Sequence, residues 1–168
     1  MRHEPLRRFI RGILAESLAS GVSEHTLMQV ASFLSGELPY NEFDLEACLP
    51  DLRPFLKVYK GLYRVWQHYP SDTPLATIEA EARVRGIMSA TQDASTIPGM
   101  LDMFGNDDGD LAVTTFDGQG FDPYEVIRAG LAQHPDFKER GFAAAVVKQY
   151  GYQKEIIVLR VVGPMRKV

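Results

Sequence analysis

Cysteine is almost missing from this chain. Cys48 stands alone among 168 residues, which excludes an internal disulfide and a metal centre built on cysteines. A reducing compartment is expected, with the Cys48 thiol buried as a structural group. Long apolar runs are missing too. No segment approaches the roughly 20 apolar residues of a membrane span, and the start, Met1-Arg2-His3-Glu4-Pro5-Leu6, lacks the apolar core of a secretory signal. The expectation is a cytoplasmic protein with no membrane partner. Basic residues are also in deficit: 18 Lys and Arg stand against 22 Asp and Glu, a net charge of −4. That balance argues against the broad basic surface needed for tight, sequence-blind nucleic-acid binding. Internal repeats and low-complexity tracts are absent. What remains is 45% hydrophobic and 24% charged, an ordinary globular composition, in a chain long enough for one domain with an appendage.

Leu6, Phe9, Ile10, Ile13, Leu14 and Leu18 recur at helical spacing, with Arg7, Arg8 and Arg11 on the other faces. Those arginines either form a solvated face or meet phosphate or an acidic partner. Ser23 is the expected N-cap of a second helix that carries Leu27, Val30, Ala31 and Leu34 and closes at Gly36. His25 falls in its exposed first turn. A short third helix is expected over 42–49, stopped by Pro50. Residues 1–50 thus read as a helical unit, and residues 51–168 as a second, sheet-bearing domain.

Asp51 caps an expected helix from Leu52, with Pro54 in its first turn and Gly61 as its C′ residue. Strand composition follows over 62–68. Alternation places Leu62, Arg64 and Trp66 on one face and Tyr63, Val65 and Gln67 on the other. Arg64 is therefore either a snorkelling residue on an edge strand or a cation held in a cleft. A helix is expected over 77–85, a strand over 84–91 ending in Ser89, Ala90 and Thr91, and a helix broken by Pro98 and Gly99 within 93–104. The acidic stretch over 105–110 lacks the ligand pattern of a calcium loop and reads as a turn. A strand over 111–116, a glycine turn over 118–120, a helix over 124–131 with Pro123 in its first turn, and a polar loop over 134–141 come next. Residues 143–147 fit a short helix or a strand. Helices and strands mix without regular alternation, which indicates an α+β protein.

The last strand, expected over 156–162, is preceded by Tyr150-Gly151-Tyr152-Gln153-Lys154-Glu155. Period two puts Gln153 and Glu155 on one side and Lys154 on the other. An amide and a carboxylate projecting together are either a solvated strand end or a pair able to do chemistry. A fixed carboxylate stabilises positive charge that develops beside it in a transition state. An amide can both donate to and accept from an acceptor group.

Three stations in this order, Tyr63-Arg64, Ser89-Ala90-Thr91 and Gln153-Lys154-Glu155, resemble the Arg-Ser-Glu class of mono-ADP-ribosyltransferases, of the cholera-toxin and C3-exoenzyme type. The likeness covers roughly residues 55–165. It implies a small split-sheet core behind the N-terminal helices, NAD as co-substrate, transfer of ADP-ribose to a protein or nucleic-acid acceptor, and no metal. By the same resemblance Arg64, with Tyr63 beside it, would grip NAD phosphate, and Ser89 and Thr91 would line the nicotinamide-ribose pocket. Glu155 would be the catalytic carboxylate, Gln153 the acceptor-side residue, and Tyr150 or Tyr152 the aromatic that meets the acceptor. Ala90 departs from the usual threonine. Gln rather than Glu at position 153 goes with asparagine, glutamine or guanine acceptors instead of arginine. Lys60, in Tyr59-Lys60-Gly61, is the alternative to Arg64. A non-catalytic binding module and an NAD glycohydrolase are the competing readings, and a small intracellular effector suits the kind of family.

Overall fold

The structure, a computed structural model, describes residues 21–36, 38–105, 110–139 and 154–168. The expected first helix, the residues at 106–109 and 143–147, and Tyr150, Tyr152 and Gln153 lie outside them. Six helices and five strands occur among the described residues. The helices are α1 (Glu24–Leu34), α2 (Leu45–Leu52), α3 (Leu75–Val84), α4 (Ile97–Phe104), α5 (Pro123–Gln133) and α6 (Pro135–Glu139). The strands are β1 (Lys57–Pro70), β2 (Met88–Thr91), β3 (Leu111–Phe121), β4 (Glu155–Val161) and β5 (Arg166–Lys167). The protein is mixed α and β, with every strand pairing antiparallel.

The sheet order is β1-β2-β4-β3-β5, and β1 also pairs with β3. The first four strands therefore close on one another like a small barrel. The five described strands belong to one continuous sheet, and the split into two sheets implied by the resemblance does not occur among the described residues.

Several local expectations give way to longer-range packing. Gly61 does not end a helix. It sits inside β1 with φ +64, in a bulge between Tyr59 and Leu62 where the register with β3 shifts. A glycine at positive φ serves a helix C′ and a bulge equally well. Here the Asp117 carboxylate, which accepts from the Gly61 N–H at 2.9 Å, marks the bulge. The helix expected from Leu52 is thus only a 3-10 turn over Arg53–Phe55. Likewise, Pro50 lies within α2 instead of stopping it, and the extra turn buries Leu52 next to Cys48. Pro98 falls in the first turn of α4, where a missing N–H is harmless, so that helix is unbroken. Residues 134–141 are not all loop, because α6 occupies Pro135–Glu139.

The glycine turn expected over 118–120 is absent, since β3 runs straight through it. A Cβ on Gly120 would lie 2.0 Å from the Ile157 carbonyl oxygen, and one on Gly118 would lie 2.9 Å from Val158. These glycines let β4 approach β3 closely.

Two cores flank the sheet. Leu27, Val30 and Leu34 of α1 join Cys48, Leu52, Val126 and Ile127 with Phe121 and Ile157 of the sheet. Ser23 caps α1 by accepting from the Thr26 N–H, and Gly36 follows it at φ +78. On the other side, Ile78 and Ala82 of α3 pack on Leu62, Trp66, Met88 and Val158. None of the helices found among the described residues is long and apolar enough to cross a membrane.

Candidate functional site

The pairing of β2 with β4 builds the centre of the site. Thr91 stands opposite Glu155 and Ser89 opposite Ile157. Side chains two apart on a strand share a face, so Ser89, Thr91 and Glu155 project together, while Ala90 and Ile156 turn into the core with α3. The Ser89 hydroxyl donates to Glu155 Oε1. Tyr63 pairs across from Thr91 and brings β1 alongside. Arg64 Nη1 then donates to the Ser89 carbonyl oxygen, and its guanidinium lies over the Trp66 ring at 4.7 Å from the centroid. Trp66 is fixed in turn by its indole N–H, which donates to Thr114 Oγ1 at 2.9 Å. Of the two readings of Arg64, cleft cation and surface residue, the geometry corresponds to the first.

A chain of contacts thus runs from a guanidinium on β1 through a serine on β2 to a carboxylate on β4. The residue Glu155 is half-buried, but its carboxyl is withdrawn from water. Burial pushes its pKa up from the ordinary 4.5 to about 6, against the Ser89 hydrogen bond and the Arg64 charge, which pull it down.

These residues line a cavity of about 360 Å³, within the range of small-ligand sites. Tyr63, Arg64, Ser89, Thr91 and Glu155 all face it. Leu34 and Gly36 contribute from the end of α1, and Met100 and Met103 from α4. Thr91 is fully buried; its hydroxyl donates to the Lys154 carbonyl at 3.2 Å and accepts from the Asp93 N–H at 3.1 Å.

Lys60 is elsewhere. Its ammonium pairs with Asp117 at 3.3 Å on the exposed bulge and does not line the cavity, so it cannot stand in for Arg64. Lys154, just before Glu155, has a left-handed φ of 48. Gln153 lies outside the described residues. His25 is exposed and lies 3.3 Å from Asp44.

Several lining residues were not singled out from the sequence as site candidates, His68, Tyr69, Glu81 and Arg85 among them. Glu81 and Arg85 of α3 and its end line the same space and pair at 3.5 Å. Their i, i+4 spacing is visible in the sequence; that they look into a cavity depends on how α3 packs. No cluster of three or more His, Cys, Asp or Glu side chains able to hold a metal ion occurs among the described residues. Comparison with protein-family models, with curated proteins and with solved structures gave no match.

Proposed function

We propose that the protein is an NAD-dependent mono-ADP-ribosyltransferase, moving ADP-ribose from NAD to a macromolecular acceptor with release of nicotinamide. The observation that carries this reading is the contact chain Arg64–Ser89–Glu155, drawn from three strands onto one cavity. Each member has a role that its chemistry suits. Arg64 is a permanent cation with a planar fork, held over Trp66 and matched to a pyrophosphate. Ser89 orients the Glu155 carboxylate. Glu155 holds the ribose 2′-hydroxyl and, once ionised, stabilises the oxocarbenium-like charge on C1′.

In the reaction the bond from C1′ to the nicotinamide nitrogen breaks, and its electron pair leaves with nicotinamide, which becomes neutral. The acceptor atom forms the new bond to C1′ from the opposite face, and its proton passes to solvent. The cavity keeps bulk water from the carboxylate, so its charge acts in a low-dielectric setting where it counts for most.

The test uses the full chain with NAD labelled in its adenosine half and a cell lysate, followed by separate protease and nuclease digestion. Label lost on protease treatment assigns a protein acceptor, and label lost on nuclease treatment assigns a nucleic acid. Free ADP-ribose with no attached label would identify a glycohydrolase instead. If the wild type releases no more nicotinamide than Glu155→Gln with any acceptor, the transferase reading fails.

A further inference from the structure

The cavity has a second carboxylate. From Arg64 a run of side chains leads away from Glu155: the guanidinium over Trp66, then the Trp66 and Tyr69 rings with centroids 6.1 Å apart, then Glu81, then Arg85. All of them line the same space. The Glu81 carboxylate lies near the Tyr69 phenol and raises its pKa. The Tyr69 phenol is a donor toward this carboxylate, but the contact is off the geometry of a full hydrogen bond and leaves the buried Glu81 Oε2 under-satisfied. Oε1 is occupied at 3.5 Å by Arg85 Nη1. A buried carboxylate oxygen with no well-placed donor is costly to keep, and this one belongs to a residue that lines a cavity.

A dinucleotide carries two riboses, one at each end of its pyrophosphate. Resting on the NAD reading above, we infer that Glu81 receives the 2′-hydroxyl of the adenosine ribose and thereby selects NAD over its 2′-phosphorylated form, NADP. A carboxylate accepts from a hydroxyl at this position and repels a phosphate, whereas a nearby guanidinium accommodates the phosphate. Both kinds of group are present here, and their pairing sets the outcome. While Glu81 holds Arg85, the end of the cavity presents an acceptor. Once the carboxylate is replaced, a bound phosphate there meets the Arg85 guanidinium without the opposing charge of Glu81.

Trp66 is the one tryptophan in the chain and lines the cavity, so its fluorescence reports ligand binding without any need for turnover. NAD and NADP are titrated into the wild type, Glu81→Gln, Arg85→Met and the double variant. The wild type should bind NAD at least roughly tenfold more tightly than NADP, because juxtaposed like charges are strongly disfavoured. Glu81→Gln, which conserves volume, should bring that ratio close to unity, mainly by a gain in NADP affinity. Adding Arg85→Met should remove the gain, and Arg85→Met alone should widen the wild-type preference. A wild type that binds the two dinucleotides equally, a Glu81→Gln ratio unchanged from wild type, or a narrowed ratio in Arg85→Met would each overturn the assignment. A wild type that binds NAD yet behaves in one of these ways sinks only the role of Glu81. A wild type that binds neither dinucleotide sinks the NAD reading and this inference together.

Discussion

Two carboxylates in this protein are partly withdrawn from water and hydrogen-bonded to hydroxyl groups, yet they end in opposite states. Asp51, at the end of α2, accepts from the Thr26 hydroxyl at 2.6 Å and the Ser23 N–H at 3.1 Å. Burial works to raise its pKa, but the bonds from Thr26 and Ser23 together outweigh it and hold the group below the ordinary aspartate value. Glu155 also has a serine donor and has a cation close by, but for it burial wins. Asp51 takes both of these donors on Oδ2 and is not among the residues lining the cavity beside Glu155; it ties α2 to the first turn of α1. Glu155 is under-compensated and faces a space of ligand size. The contrast is between a carboxylate that joins two helices and one that lines a cavity beside a serine and an arginine.

Breaking the second of these should give the largest effect. Glu155→Gln is expected to lower nicotinamide release by roughly 100-fold or more, the scale on which a single electrostatic stabiliser acts. The same variant should be more stable than wild type. Between the ordinary pKa of 4.5 and the native value of about 6, the folded state binds a proton that the unfolded state does not. The stabilisation present in acid is therefore lost as pH rises through about 6, a loss of about 2 kcal/mol. Urea titrations should show Glu155→Gln ahead of wild type by up to that amount above neutrality and level with it below the ordinary pKa. Activity should run the other way, rising with pH through about 6 as the carboxylate forms. A flat profile across that range would remove the ionisation from the mechanism.

Arg64→Lys comes next. Losing the planar fork but keeping the charge should weaken NAD binding roughly tenfold, read from Trp66 fluorescence. On the other side of the comparison, Asp51→Ala should cost about 1–2 kcal/mol in urea unfolding, because the Thr26 hydroxyl and Ser23 N–H lose their acceptor. Nicotinamide release should stay at the wild-type level. A fall in specific activity of the folded protein would mean that the two carboxylates are coupled. The smallest effect belongs to Lys60→Ala, which removes an exposed contact with Asp117. Neither melting temperature nor turnover should move.

That Arg64, Ser89 and Glu155 share one cavity was expected only from the resemblance carried by three short words in order; strand periodicity alone left Arg64 open between a surface residue and a cleft cation. The mistakes have a common physical source. Gly61, Gly118 and Gly120 look like punctuation to any local reading, but each is placed by a contact distant in sequence: Asp117 for the first, and β4 for the others. Pro50 was read as a stop, while the burial of Leu52 carries α2 past it. Glu81 and Arg85 illustrate the limit most clearly. As a spaced pair on a polar helix face they are indistinguishable from a solvated ion pair. Only the packing of Ile78 and Ala82 against the sheet turns α3 so that its acidic residue looks inward.

The approach to β4 runs through Lys154, the non-glycine residue at positive φ among those described. Its carbonyl is held by Thr91, and its ammonium lies 3.2 Å from Asp93. The bearing of Glu155 is consequently set by a corner whose anchoring ion pair lies open to solvent. Salt screens such a pair readily. Thr91, itself fully buried, holds the same corner from within through the Lys154 carbonyl, so the turn has one anchor that salt reaches and one that it does not.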